Sequence, residues 1–334
     1  MLKLKDILLE GPKKNPYRLV IIHHYDPDPD VIDIPKRWEP EAKKITSQYY
    51  IADIYGAYIQ KKDGVITIHN TGDKKGFIIN PEDTLVLVKA QGSPNKFSVG
   101  WLSYIDLLER NNVFCVNSLL SKQICNDKYL SYLYLSEGGL QQPKTVLVGN
   151  DETVLDDFDR LGAKYPVILK TTIGTQGVGV ILIESEKTLL ATTQIIFDLD
   201  EKIDLILQEY IPMKYDVRVH VLNNKILGAM KRPIIPGDFR SNVTQGSKPK
   251  PFKLTKLEEE ESIKAAKAVG GVWVGVDFIP SADRKNKPPF IIEVNSNPGT
   301  AGIEDALKQN IALEVLKSFK DKDNWPKPVD IRRR

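Results

Sequence analysis

The sequence predicts an α/β protein, on three observations. Short apolar strands separated by turn residues fill the first third, helices and strands alternate from Asn117 onward, and 272–279 is a continuous apolar run suited to the interior of a sheet. With 334 residues the chain is long enough for two or three compact units around cores of their own.

The elements follow in order. Residues 18–23 form the first strand. Asp26-Pro27-Asp28-Pro29-Asp30 cannot join regular structure, because proline fixes φ and lacks an N–H, and is expected as an exposed acidic loop. Strands at 57–60 and 65–69 flank Lys62-Asp63-Gly64, whose Asp-Gly step supplies the positive φ angles of a tight hairpin turn. A strand at 84–88, a helix at 101–110 and a strand at 113–116 complete a modest α/β N-terminal domain, 1–116, with no recognisable chemistry. Asn126 is expected to cap a helix through Tyr132 and Leu135 that stops at Gly138-Gly139, and 151–161 is a second amphipathic helix. Thr255 and Glu258 make a capping box, which turns the acidic run 258–261 into the negative first turn of a helix rather than a binding tail. Residues 248–253 read as an exposed connector and Ile331-Arg332-Arg333-Arg334 as a frayed basic end. No internal repeat occurs.

Composition narrows the function. The net charge of +3, the difference between 47 basic and 44 acidic residues, creates no global field for nucleic acid, and no nucleic-acid recognition motif is present. Cys115 and Cys125 match no metal spacing and no disulfide framework, which points to a reducing, cytoplasmic setting. The amphipathic start, 1–10, is interrupted by charges, and neither a signal core nor a membrane-crossing run is expected.

Chemistry-bearing residues gather in the last two thirds. Strand 167–170 ends in Lys170, the loop 171–179 is rich in glycine, and 180–183 is again a strand. This hairpin lacks the helix that a Walker loop or dinucleotide fingerprint opens, so its glycines suit a tip that brings backbone amides to phosphates, with Lys170 neutralising their charge. A plain glycine hairpin is the alternative. Strand 205–212 can present backbone groups of Glu209 and Tyr210 to an adenine edge. Asp216, Arg218 and His220 share one face of strand 215–221, where Arg218 suits an anion clamp and His220 suits a hydrogen-bonded spectator outside the site. Lys231, Arg232 and Gly237-Asp238-Phe239-Arg240-Ser241-Asn242 form a donor-rich stretch. Asp277, the acid of an apolar strand, must be paired or metal-bound to justify its desolvation. On 290–295 alternation predicts Ile292 and Val294 facing the core and Glu293 with Asn295 facing outward, a pair of oxygen donors suited to magnesium. Taken alone, that segment reads more simply as an edge strand with its polar face in water, and it is the rest of the chain that favours the metal reading.

Taken in order, the Lys128 helix, Lys170 with Gly174-Thr175-Gln176-Gly177, Gln208-Glu209-Tyr210-Ile211, the 237–242 loop, Val276-Asp277, and Glu293-Val294-Asn295 with Asn297-Pro298-Gly299 resemble the ATP-grasp ligases of the RimK type, over roughly residues 117–320. The resemblance implies an ATP-grasp fold of two α+β subdomains, 117–204 with a glycine lid and 205–322 with a magnesium site, after the N-terminal domain and before a basic tail at 323–334. It implies that Lys128 and Lys170 contact phosphates, that Gly174, Thr175, Gln176 and Gly177 cover them, and that Glu209 and Tyr210 hold adenine. Asp216 would lie at the ribose side, Arg218 near the phosphates, and Arg240, Ser241 and Asn242 along them. Asp277, Glu293 and Asn295 would hold magnesium, with manganese as its substitute. Arg232 or Arg240 would serve the oxyanion of the second step. The implied activity is carboxylate activation by ATP followed by amide formation, adding an amino acid, glutamate first, to a peptide or protein acceptor. A small-molecule ligase and a non-catalytic nucleotide-binding protein are the alternatives, and a homo-oligomer is compatible with each. Pro233-Ile234-Ile235-Pro236 departs from the charged stretch expected of glutamate-adding members.

Overall fold

The computed structural model describes residues 17–23, 37–89, 100–174, 179–200, 202–234 and 248–325. The acidic loop 26–30, the basic end 331–334, Thr175, Gln176, Gly177, Arg240, Ser241 and Asn242 lie outside the described residues. The chain divides into two compact units, one drawn from Met1–Ala90, Leu107–Val116 and Ala312–Arg334, the other from Gln91–Asp106 and Asn117–Ile311.

In the first unit β1 (Arg18–His23) is followed by α1 (Glu39–Ile45), β2 (Tyr49–Asp53), β3 (Ala57–Lys62), β4 (Val65–Asn70), β5 (Phe77–Ile79) and β6 (Thr84–Val88). After α2 (Gly100–Arg110) comes β7 (Phe114–Val116). Strands β2, β1, β6 and β7 line up in that order as a parallel sheet. Leu19, Val20 and Ile21 are all buried, as are Leu85 to Val88, because a parallel sheet is covered on both faces and its strands read as unbroken apolar runs. Strands β3, β4 and β5 form a separate antiparallel meander. Its first turn has Asp63 at φ 50° and Gly64 at φ 80°, the two positive angles that Asp-Gly was expected to provide. Strands β2 and β5 have no counterpart in the sequence expectations.

The second unit contains α3 (Leu119–Asn126), α4 (Lys128–Glu137), β8 (Thr145–Val148), α5 (Val154–Leu161), β9 (Val167–Thr171), β10 (Val180–Ile183), α6 (Glu186–Leu199) and β11 (Leu205–Glu209). It continues through β12 (Tyr215–Leu222), β13 (Lys225–Pro233), β14 (Lys250–Pro251), α7 (Lys256–Ala268), β15 (Trp273–Ile279), β16 (Phe290–Asn295) and α8 (Ala301–Leu307). Two antiparallel sheets result, β10-β9-β11-β8 and β14-β13-β12-β15-β16. Leu205–Glu209, in sequence the start of the second expected subdomain, lies between β9 and β8 in the first sheet. Helices α3 and α4 contribute Ile124 and Leu135 to the core under the second sheet, although they precede the first sheet in the chain. Proline positions and strand counts mark where elements end; they do not say which strands pair.

Three local expectations change. Asn126 ends α3, and it is Asp127 that caps α4, accepting from the N–H groups of Tyr129 and Leu130 at 2.8 and 2.9 Å. That cap makes Lys128 the first residue of α4. The helix expected from 151 begins at Val154. On β16 the register shifts, Asp277 facing Glu293 while Phe278 faces Ile291, so Ile292 is the extra residue of a bulge. Ile291 and Val294 are buried, and Ile292 turns out with Glu293 instead of facing the core. The capping box of α7 is present with both of its hydrogen bonds.

Helix α9 (Ile311–Ser318) and the residues through Trp325 complete the first unit. The Tyr17 hydroxyl donates to the Leu316 carbonyl at 2.7 Å, and Trp325, 5% exposed, meets the rings of Tyr17 and Phe114 edge-on. Trp325, which falls in the basic tail expected at 323–334, therefore belongs to a folded core. Among the described residues no helix is long and apolar enough to cross a membrane.

Candidate nucleotide and magnesium site

Local structure brings two lysines together. Lys128 starts α4, its N–H bonded to the Thr172 carbonyl at 2.9 Å, and its ammonium donates to the Gly174 carbonyl at 2.8 Å. The start of the helix is thereby tied to the strand end that leads into the glycine loop. The far end of that loop closes at Gly179, whose φ of 74° favours glycine and whose missing Cβ leaves room for the Thr171 hydroxyl. Lys170, on β9, donates to the Gln208 side-chain oxygen at 2.9 Å. Lys128, Lys170, Gln208, Ile292 and Glu293 line one pocket.

The pocket opposes positive charge while inviting an anion. Burial and the neighbouring Lys128 lower the Lys170 pKa to about 8, against a smaller upward pull from Glu293. Burial also lowers the Lys128 pKa, with Glu293 and Asp127 pulling the other way. Two partly desolvated ammonium groups sharing one carboxylate regain favourable energy when a multiply charged anion enters. Burial pushes the Cys125 thiol in the same pocket up to about 12, which keeps it protonated and inert.

The second sheet supplies a row of alternating charges. Arg218 stands opposite Asp277 across β12 and β15, Asp277 opposite Glu293 across β15 and β16, and Asp216 opposite Arg232 across β12 and β13. Arg218 grips Asp277 with two hydrogen bonds, of 2.7 and 2.6 Å. Arg232 holds Asp216 with both arms of its fork and reaches Asp277 at 2.9 Å. With the Asn295 amide turned to suit its neighbours, its oxygen accepts from Arg218 and its nitrogen donates to Glu293, each at 3.2 Å. Burial pushes the Asp277 carboxyl up, and Arg218 and Arg232 together outweigh it, holding the group below the usual carboxylate range. Burial likewise pushes Arg232 down, and Asp277 and Asp216 overcome it and raise its pKa. Across network and pocket the three carboxylates Glu293, Asp277 and Asp216 face four cationic side chains, Arg218, Arg232, Lys128 and Lys170.

The structure thus joins Lys128, Lys170 and Glu293 in one pocket, and Asp216, Arg218, Arg232, Asp277, Glu293 and Asn295 in one network, with Glu293 common to both. Arg218, expected as an anion clamp, clamps the Asp277 carboxylate. Arg232 is 4% exposed and bound to two carboxylates, so it meets a reacting oxyanion only if those ion pairs open. Asp216, expected at the ribose side, is buried and paired with Arg232. Glu209 ends β11, and its N–H is spent on the Lys144 carbonyl at 2.9 Å. Two pocket residues lie outside the expected site: Gln208, and Ile292, which was expected in the core. Gln208 carried a readable signal, a polar residue closing the apolar run Leu205-Ile206-Leu207; Ile292 carried none, since a bulge is set by strand pairing.

Comparison with known proteins bears on what such a site does. The family model described as the RimK-like ATP-grasp domain matches residues 125–319. The chain belongs to the RimK-like ATP-grasp family. A Coxiella burnetii (strain RSA 493 / Nine Mile phase I) protein named "Probable alpha-L-glutamate ligase" is 37% identical over 220 residues, 65% of this chain and 70% of that protein. The ATP-grasp ligase PsnB, in complex with a phosphomimetic variant of its minimal precursor, Mg and ADP, aligns with a TM-score of 0.67 at 16% identity, covering 89% of this chain and 96% of that one. D-alanine-D-alanine ligase from Bacillus anthracis, complexed with ATP, aligns with a TM-score of 0.61 at 17% identity, covering 92% of this chain and 99% of that one. These two alignments show the ATP-grasp fold, in keeping with the mixed α/β expectation. As a RimK-like ATP-grasp enzyme the chain is an ATP-dependent carboxylate–amine ligase.

The donor set of this ligase fits magnesium. Among the described residues no three His, Cys, Asp or Glu side chains are grouped to hold a metal ion; Asp277, Glu293 and the Asn295 amide oxygen are the hard donors that could take part in holding one. A cation already stands among them, since the Arg218 guanidinium bonds both Asp277 and the Asn295 oxygen. A metal at Asp277 would share that carboxylate with Arg218 or displace it.

Proposed function

We propose that the enzyme adds an amino acid, with glutamate the first candidate, to a carboxylate of a peptide or protein acceptor. The convergence of Lys128, Lys170 and Glu293 on one pocket carries this reading, because two desolvated ammonium groups beside a hard-oxygen donor set suit a polyphosphate with its metal. Lys128 and Lys170 hold the nucleotide phosphates, the 174–177 loop covers them, Glu209 and Tyr210 hold adenine, and Arg240, Ser241 and Asn242 line the phosphate side. Asp277, Glu293 and Asn295 hold magnesium, which when bound neutralises charge on the phosphate oxygens.

In the first step an acceptor carboxylate oxygen attacks the γ-phosphorus of ATP, the bond to the β-phosphate oxygen breaks, and ADP leaves an acyl phosphate. In the second the amino group of the added residue attacks the acyl carbon, phosphate departs with the bonding pair, and the amine loses its proton. Neither step requires a protein nucleophile; both require positioning, cationic donors and exclusion of water. Arg240 supplies the oxyanion donor, and Arg232 does so only after its ion pairs open.

The glutamate assignment draws support from the Coxiella relative's name, and the polypeptide acceptor from the precursor held by PsnB. The fold likeness to D-alanine-D-alanine ligase favours a second reading, a small-molecule ligase joining two free amino acids. ADP release should be measured with magnesium, ATP and single amino acids, with and without cell lysate, followed by mass analysis of lysate proteins. Glutamate-dependent turnover that needs lysate, with one polypeptide gaining mass, is the expected result; turnover with free amino acids alone would establish the second reading. Lys170→Ala should abolish turnover with the fold intact, and unaltered turnover would remove its phosphate role.

A further inference from the structure

Gln208 is built into a directional relay. Its partner on β8 is Thr145, directly opposite in register, while Lys170 lies diagonally across on β9, which pairs Lys170 with Ile206. Lys170, Gln208 and Thr145 therefore share one face of the first sheet, opposite the face that buries Leu205, Leu207 and Leu169. The Thr145 hydroxyl lies 3.1 Å from the Pro143 carbonyl, the Gln208 side-chain nitrogen 2.8 Å from that hydroxyl, and the Lys170 ammonium 2.9 Å from the Gln208 oxygen.

Hydrogen-bond polarity fixes the order. A carbonyl only accepts, so Thr145 must donate its single proton to Pro143. The hydroxyl is left with lone pairs, and only the NH2 end of Gln208 can satisfy them. The amide oxygen is thereby turned toward Lys170. Thr145 is 6% exposed, so the direction is set away from solvent. A neutral amide also holds the ammonium without cancelling its charge, which a glutamate at the same position would do.

We propose that Gln208, oriented by Thr145, is a positioning residue that holds the Lys170 ammonium where it meets the phosphates of the nucleotide. The proposal rests on the phosphate role of Lys170. Because Gln208 precedes Glu209, its effect must be separated from a disturbance of the adenine side, and the Thr145 hydroxyl provides a handle outside the nucleotide site.

The test is calorimetric binding of the non-hydrolysable analogue AMPPNP with magnesium, alongside adenosine, to the full chain and to Q208L, T145V, T145S and K170A. AMPPNP affinity should fall about tenfold in Q208L and in T145V, the order expected when a hydrogen bond to a charged group is lost. T145S, which keeps the hydroxyl, should bind within about twofold of the parent, and adenosine should bind all five proteins alike. Equal losses for adenosine and AMPPNP in Q208L, or T145V and T145S behaving alike, would overturn the relay. Should K170A bind AMPPNP like the parent, the phosphate role of Lys170 fails and the relay fails with it. If K170A is weakened while Q208L is not, the relay alone is wrong.

Discussion

Lys170 carries a charge that its surroundings oppose, and the opposition has a sign that can be followed with pH. Its pKa is about 8 in the fold, against 10.5 as the ordinary value. Below about pH 8 the residue is charged in both the folded and the unfolded chain, and its burial costs stability. Between about pH 8 and about pH 10.5 the unfolded chain holds more protons than the native state, so stability rises with pH through that window. Lys170→Met should therefore raise the melting temperature at neutral pH and remove that share of the rise above pH 8. Thermal denaturation of the variant and parent, compared from about pH 6 to about pH 10, measures the difference. Parallel curves would mean that the ammonium is not desolvated. In the parent, nucleotide binding near pH 8 should take up protons, because phosphates favour the charged lysine.

At the scale of the elements, β12, β15 and β16 place Arg218 against the donor set expected for magnesium. The guanidinium and the metal compete for Asp277. Replacing Arg218 with Met should tighten magnesium binding without nucleotide by on the order of tenfold, since a full positive charge within a few ångströms is removed. The same change should destabilise the metal-free protein by about 3 kcal/mol, because Asp277 loses its two-point partner and keeps a single bond to Arg232. Titration calorimetry and urea denaturation give the two quantities. Magnesium affinity that is unchanged or weaker would show that Arg218 does not compete with the metal. The bulge at Ile292 belongs to the same scale, since one extra residue on β16 sends Glu293 and Ile292 into the pocket while Ile291 and Val294 keep the core.

For the whole molecule, the chain contributes its last described residues to the unit formed by its first. Trp325 donates its ring N–H to the Phe319 carbonyl at 2.8 Å and buries nearly all of its surface. Trp325→Ala should cost about 3 kcal/mol, the usual penalty for emptying a large buried aromatic site. The loss should appear in the first unit, and AMPPNP affinity, which depends on residues of the second, should stay within about twofold below the melting transition. Calorimetric unfolding and nucleotide binding of the same variant decide this. A parallel loss of affinity would mean that the two units do not respond independently.

What the sequence determined by itself is local. The Asp63-Gly64 turn, the capping box of α7, the buried strand bearing Asp277 and the strand–loop–strand around the glycines are each specified by residues within a few positions of one another, and the ordered motifs were enough to indicate the family. Tertiary structure decided what depends on partners distant in the chain. It set β11 between β9 and β8, sent α3 and α4 under the second sheet, shifted the register at Ile292, and bound Arg218 and Arg232 to carboxylates that alternation alone had left open. Propensity and periodicity act along the chain, whereas strand register, ion pairing and the desolvation that lowers Lys170 arise between segments that only folding brings together.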